Sequence, residues 1–133
     1  MKVTRLDAVD WLPITHYDSD RSLSAQLATG GGESHAHVVR FDAGGRIGAH
    51  EAGFGQLFTF VVGRGWAAGP DGRRVSLAPG DVAWFARGEL HSKGSDDGGT
   101  ALMIQVRNLE PDATGHRGSN PGRARGHRSP YQP

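Results

Sequence analysis

With 133 residues and a mass of 14.1 kDa, the chain has the size of one domain, which excludes a two-domain enzyme with a separate cofactor module. Its composition, 36% hydrophobic and 22% charged, is that of a soluble globular protein, and the absence of cysteine removes disulfides, thiolate metal sites and cysteine nucleophiles. The formal charge of +1 divides unevenly: residues 1–112 hold all fourteen acidic residues against eleven Lys and Arg, while residues 113–133 carry four arginines and no acid.

The 21 glycines follow no triplet period, so they imply many tight turns joining short strands. No amphipathic helix stands out. The apolar pattern has a two-residue period broken about every eight to twelve positions. In chain order this predicts a strand over Ser22–Thr29, a turn at Gly30–Glu33, and a strand over His35–Phe41 with His35, His37, Val39 and Phe41 on one face. A turn at Asp42–Gly45 leads to an extended Arg46–His50. Gln56–Val62 is the most hydrophobic strand, and Gly63-Arg64-Gly65 interrupts it with a bulge or sharp bend. Trp66–Ala68 runs into a hairpin turn at Gly69–Gly72, and Arg74–Leu77, Asp81–Phe85 and Thr100–Val106 complete the predicted strands. So many short strands without crossover helices predict an all-β protein, a closed or sandwiched antiparallel barrel.

The body is expected over residues 1–110, with N-terminal strands at about 1–32 and a motif core at about 33–106. Residues 111–133, rich in Pro, Gly, Ser and Arg, are expected to form a flexible basic tail. Four scattered arginines without interleaved aromatics are a weak footprint for nucleic acid. No apolar run approaches a membrane span, and MKVTRLDAVD lacks the apolar region of a signal peptide. A cytoplasmic protein is expected, and the arginine-, alanine- and glycine-rich composition points to a GC-rich bacterial genome.

Two segments concentrate the chemistry. Gly44, His50, Ala52, Gln56 and Gly63 fall at the positions of G-x5-H-x-H-x3-E-x6-G, and Gly80, Ala86, Gly88, His91 and Ser95 at those of G-x5-P-x-G-x2-H-x3-N. In these residues the chain resembles the cupin superfamily over about residues 36–106. The resemblance implies a single-domain antiparallel β-barrel of jelly-roll type, a homodimer paired through sheet edges, and a small-molecule ligand in the barrel.

Metal-binding cupins set two histidines and a glutamate of the first motif, with the histidine of the second, around one divalent ion. Here the second histidine is Ala52 and the glutamate is Gln56. The resemblance thus leaves His50, Gln56 and His91 as candidate ligands for Fe, Mn, Ni, Cu or Zn, with His37 or His35 as a replacement from the neighbouring strand. A carboxamide ligates more weakly than a carboxylate because it neutralises none of the metal's charge. No nucleotide or organic cofactor is expected, since Gly30–Gly32 has neither the following helix nor the lysine of a phosphate loop.

Two function classes follow. The first is an enzyme whose catalytic residues are His50, His91 and Gln56. It works either through a metal, with oxygenase or isomerase chemistry, or metal-free, with a histidine as general base and Gln56 facing a developing oxyanion. Metal-free isomerase, dehydratase or cyclase chemistry would suit bacterial secondary metabolism. The second class is a non-catalytic sensing or carrier barrel. Glu51 alternates outward, whereas Glu89 shares the parity of His91 and could reach the rim or orient an imidazole.

Overall fold

The computed structural model describes residues 1–112, so most of the expected basic tail lies outside the described residues. Eleven strands account for nearly all regular structure: β1 (Lys2–Arg5), β2 (Leu12–Pro13), β3 (Leu23–Ser24), β4 (Ala28–Phe41), β5 (Gly45–Glu51), β6 (Gly55–Gly63), β7 (Gly65–Ala68), β8 (Arg74–Leu77), β9 (Asp81–Phe85), β10 (Leu90–Ser95) and β11 (Gly99–Pro111). One 3-10 turn at Leu6–Ala8 is the helical content of the described residues, none of which forms a helix long and apolar enough to cross a membrane.

A five-stranded sheet in the order β1-β9-β6-β11-β4 faces a four-stranded sheet in the order β5-β10-β7-β8, and β2-β3 form a small hairpin. Every recorded pairing is antiparallel. The all-β antiparallel expectation holds. Phe58 and Phe60 of β6 supply the large rings of the core, packed with Phe41, Leu77, Phe85 and the small residues Ala67, Ala83 and Ala101. Their rings meet edge-on, with Phe58 and Phe60 centroids 5.3 Å apart at 82°.

Residues 63–65 carry the chain from one sheet to the other, which is why the hydrophobic run of β6 breaks there. Gly63 has φ +68°, and a Cβ on Gly65 would lie 2.2 Å from the Gly94 carbonyl oxygen and 2.3 Å from the Phe60 ring. At this corner the backbone passes so close to the core that no side chain fits.

Two expectations need correction. The turn at Gly30–Glu33 is no turn: β4 runs unbroken through it, against β11 for twelve paired residues. The glycines instead absorb a register shift between Ser34 and Gly31, with Gly32 at φ +90° against the Arg107 side chain. As a result, the strand expected at Ser22–Thr29 is divided into β3 and the start of β4. The second omission is β10: Leu-His-Ser-Lys-Gly-Ser lacks apolar alternation, yet it pairs with both β5 and β7.

Because β4 and β5 are edges of different sheets, the barrel is open between them. His35 and His37 are exposed on the β4 side of that opening and His50 on the β5 side.

Replacing Gly65 by Ala is expected to lower stability by about 2 kcal/mol or more, the usual cost of forcing atoms into a filled site. Urea midpoints of the two proteins check this, and an unchanged midpoint would show that the corner can relax.

Candidate functional site

His50 and His91 are directly opposed in the β5–β10 ladder, so one register pairing puts both motif histidines side by side. Their ring centroids are 4.5 Å apart, and on its other side His91 stands 4.5 Å from the Phe85 ring. His50 is exposed and His91 buried. The Nδ1 of His50 lies 2.8 Å from the Gly48 carbonyl, which can only accept. Neutral His50 therefore carries its proton on Nδ1 and keeps the Nε2 lone pair for a base.

His91 is the reverse case. Both ring nitrogens are buried and, among the described residues, have no hydrogen-bond partner. Burial, then Lys93, then His50 hold its pKa down at about 4, against 6.5 for an ordinary histidine, so at neutral pH the ring is uncharged. Each unsatisfied buried polar atom costs about 1–3 kcal/mol, which a ligand supplying a donor or acceptor would recover.

Two residues along the same strand, Lys93 is 1% exposed. Its Nζ donates to Gln56 Oε1, lies 3.5 Å from Met103 Sδ, and sits 4.8 Å and 5.1 Å from the ring centroids of Phe58 and Phe85. Gln56, itself buried, reaches this position from β6, where it opposes Gln105 and Phe85. Among the described residues no carboxylate pairs with Lys93. Burial pushes the Lys93 pKa from 10.5 down to about 7.

Lys93 is the residue that sequence reasoning missed. The available signal was parity: in a strand, a lysine two residues after an inward histidine also faces inward. That signal could be used only once β10 was known to be a strand.

The structure brings His50, His91 and Gln56 to one region, together with Lys93. His37 and His35 lie on β4, His37 opposite Met103 and His35 opposite Gln105; His35 bonds Glu33 at 2.7 Å and stacks between Phe54 and His37, each centroid 6.1 Å away. Arg107 completes this outer cluster, 3.1 Å from Glu33 and 5.1 Å above the Phe54 ring. Glu89 orients no histidine. Its carboxylate accepts the Ala86 N–H at 3.1 Å and pairs with the Met1 amino group. Glu51 is exposed, as its parity requires.

These residues do not fit a divalent metal. Among the described residues no three His, Asp or Glu side chains converge to hold one, because Ala52 occupies the second histidine position. Gln56 Oε1, the remaining oxygen donor, is engaged by the amine of Lys93, so a metal there would sit beside a competing nitrogen and gain no negative charge.

Two facing antiparallel sheets, with paired motif histidines on β5 and β10, define the class: the chain has the cupin fold. It is similar to a cupin 2 domain-containing protein from Halorhodospira halophila, with a TM-score of 0.55 and 17% identity over 83% of this chain and 78% of that one. It is also similar to a cupin-like protein from Thermotoga maritima, with a TM-score of 0.54 and 18% identity over 85% of this chain and 96% of that one. Over 71 residues it is 39% identical to the (R)-mandelonitrile lyase of Granulicella tundricola, covering 52% of this chain and 54% of that protein. The chain thus spans about half the length of the curated relative it matches. No family model matches the chain.

The lowered pKa of Lys93 has a thermodynamic consequence. From about pH 7 up to 10.5 the unfolded lysine holds a proton that the folded one lacks, so unfolding takes up a proton and stability rises with pH. For His91 the corresponding window is about 4 to 6.5, and stability falls as pH drops through it. Urea midpoints are expected to climb as pH rises from 7 toward 10.5, and Lys93→Met is expected to flatten that climb. A climb of the same slope in Lys93→Met would place its origin elsewhere.

Proposed function

We propose that the chain is a small-molecule lyase or isomerase that binds a carbonyl compound, or its α-hydroxy adduct, at the opening between β4 and β5. In this reading it moves protons at His50 and His91 without a metal. The observation that carries the reading is His91, whose two ring nitrogens are buried and unpartnered beside an accessible imidazole. A ligand hydroxyl or carbonyl entering past His50 satisfies what the protein leaves open.

The chemistry follows from the tautomers. His50 Nε2, its lone pair free, takes a proton from a substrate hydroxyl or an acidic C–H. His91, kept neutral, offers one N–H to the oxygen that gains charge and one lone pair to a donor. Gln56 is tied to Lys93 and therefore acts through that amine, holding it toward the aromatic interior. The likeness to a mandelonitrile lyase supports an α-hydroxynitrile as the first substrate to try. Loss of the hydroxyl proton to His50 would let the C–C bond break, its electron pair leaving with cyanide and a carbonyl remaining. The exposed Val38 on the edge strand β4 supports a homodimer formed along that edge.

A second reading, a ligand-binding barrel without catalysis, is favoured by Ala52, which leaves the first motif one histidine short.

The test is turnover of mandelonitrile, followed by benzaldehyde absorbance. His50→Ala is expected to lower kcat/KM at least about 100-fold, the lower range for a lost general base, with melting temperature unchanged. Binding of benzaldehyde without turnover would select the non-catalytic reading. Turnover that requires added Fe(II), Mn, Ni, Cu or Zn would overturn the metal-free mechanism.

A further inference from the structure

We propose that a second copy of this chain packs on the outer face of the five-stranded sheet, over β4, β11 and β6. This rests on the homodimer of the reading above and deepens it, moving the contact from the rim of β4 to the face beside it.

Strand parity defines the face. Met103 and Ala101 of β11 and Phe58 and Phe60 of β6 pack into the core, so Leu102, Ile104, Leu57 and Thr59 point away from it. The register extends the rule to β4, where Ala36 lies beside Ile104 and Val38 beside Leu102. Two rows therefore cross the outside of the sheet, Ala36–Ile104–Leu57 and Val38–Leu102–Thr59, and neither holds a charged group. A sheet with one wet face alternates apolar and polar residues, whereas a sheet covered on both faces reads as a continuous apolar run. β11 is of the second kind, with Ala-Leu-Met-Ile at 101–104. Part of the cover is already in place. Val82 and Trp84 of β9 have the same outward parity, Trp84 beside Leu57, and they are 2% and 3% exposed. At β4 the face is bare, with Val38 73% exposed.

Shape, charge and area select a second copy as the occupant. The face carries a hollow of about 420 Å³, lined by Gly30–Gly32, Ser34, Leu57, Ile104 and Leu109 among others. Val38 lies farther along the same strand on the same face. A two-fold axis in the plane of contact, crossing β4 between them, seats the Val38 of each copy in the hollow of the other. That is the self-complementarity an isologous dimer requires. The same axis sets the two Arg40 side chains at opposite ends of the contact, each at the end that holds the partner's Glu33, so like charges do not meet. Three strands about 4.8 Å apart, over residues 30–40 at about 3.4 Å each, give a flat footprint of roughly 500 Å². Two such faces bring about 1,000 Å² together, the threshold of a specific interface, before side-chain relief is counted.

The test is the mass of the full chain by light scattering at roughly 10–100 µM, above the micromolar Kd of a weak interface of standard size. Twice the chain mass of 14.1 kDa is expected for the wild type. Ile104→Lys puts a charge in the middle of the face, one strand in from the rim, and is expected to halve that mass while keeping a cooperative urea transition. Val38→Lys, at a position already exposed, is expected to do the same and serves if Ile104→Lys folds poorly. In the wild type, a soluble paramagnetic probe is expected to spare the methyl resonances of Leu57, Leu102 and Ile104. A dimer that persists in folded Ile104→Lys, or broadening of those methyls in a dimeric wild type, would overturn the face assignment and leave the edge homodimer standing. A monomeric wild type would overturn both, and methyls spared in that monomer would show that another part of this chain covers the face. Turnover of mandelonitrile tests the catalytic reading separately.

Discussion

An amine and an imidazole buried among phenylalanine rings, with no acid among the described residues to neutralise either, is the constraint on which the rest of this site depends. Taking a lysine out of water is unfavourable, and the barrel meets the cost by lowering its proton affinity and lending it one amide oxygen and one thioether. The same environment keeps His91 uncharged. A core of alanine and phenylalanine would be more stable with apolar residues at both positions. The two groups make sense where a ligand needs them.

The sheets explain how such groups come to be inside. β10 is central in its sheet, held by β5 on one side and β7 on the other, and its inward side chains His91 and Lys93 are buried. His50, on the edge strand β5, keeps one side open. The pair therefore runs from accessible to enclosed, with Lys93 as buried as His91. In the proposed reading a proton enters at His50 and a ligand approaches between β4 and β5, the edge strands of the two sheets. The same gap exposes His35 and His37, whose partners are Glu33, Phe54 and each other rather than the interior pair.

The likeness to cupins of known structure fixes the architecture, and identities of 17% and 18% carry no chemistry with it. The departures from the motif are more informative. Ala52 removes a donor, Gln56 removes a charge, and Lys93 occupies the amide that remains. Together these changes leave two imidazoles, an amide and an amine at the motif positions and beside them.

Sequence alone determined the strand-rich architecture, because two-residue apolar alternation and closely spaced turn glycines leave few other ways to bury a core. It determined the corner at Gly63–Gly65, and the resemblance to cupins implied that His50 and His91 share one site. It could not determine β10, since Ser92, Lys93 and Gly94 carry no apolar rhythm and become a strand only by filling the place between two others. It also read Gly30–Gly32 as a turn, where pairing with β11 stretches the same glycines into a bulged strand. Only the tertiary structure decided the protonation of the site. Whether a lysine is a surface charge or a buried amine depends on which strands lie over it, and those strands come from distant parts of the chain.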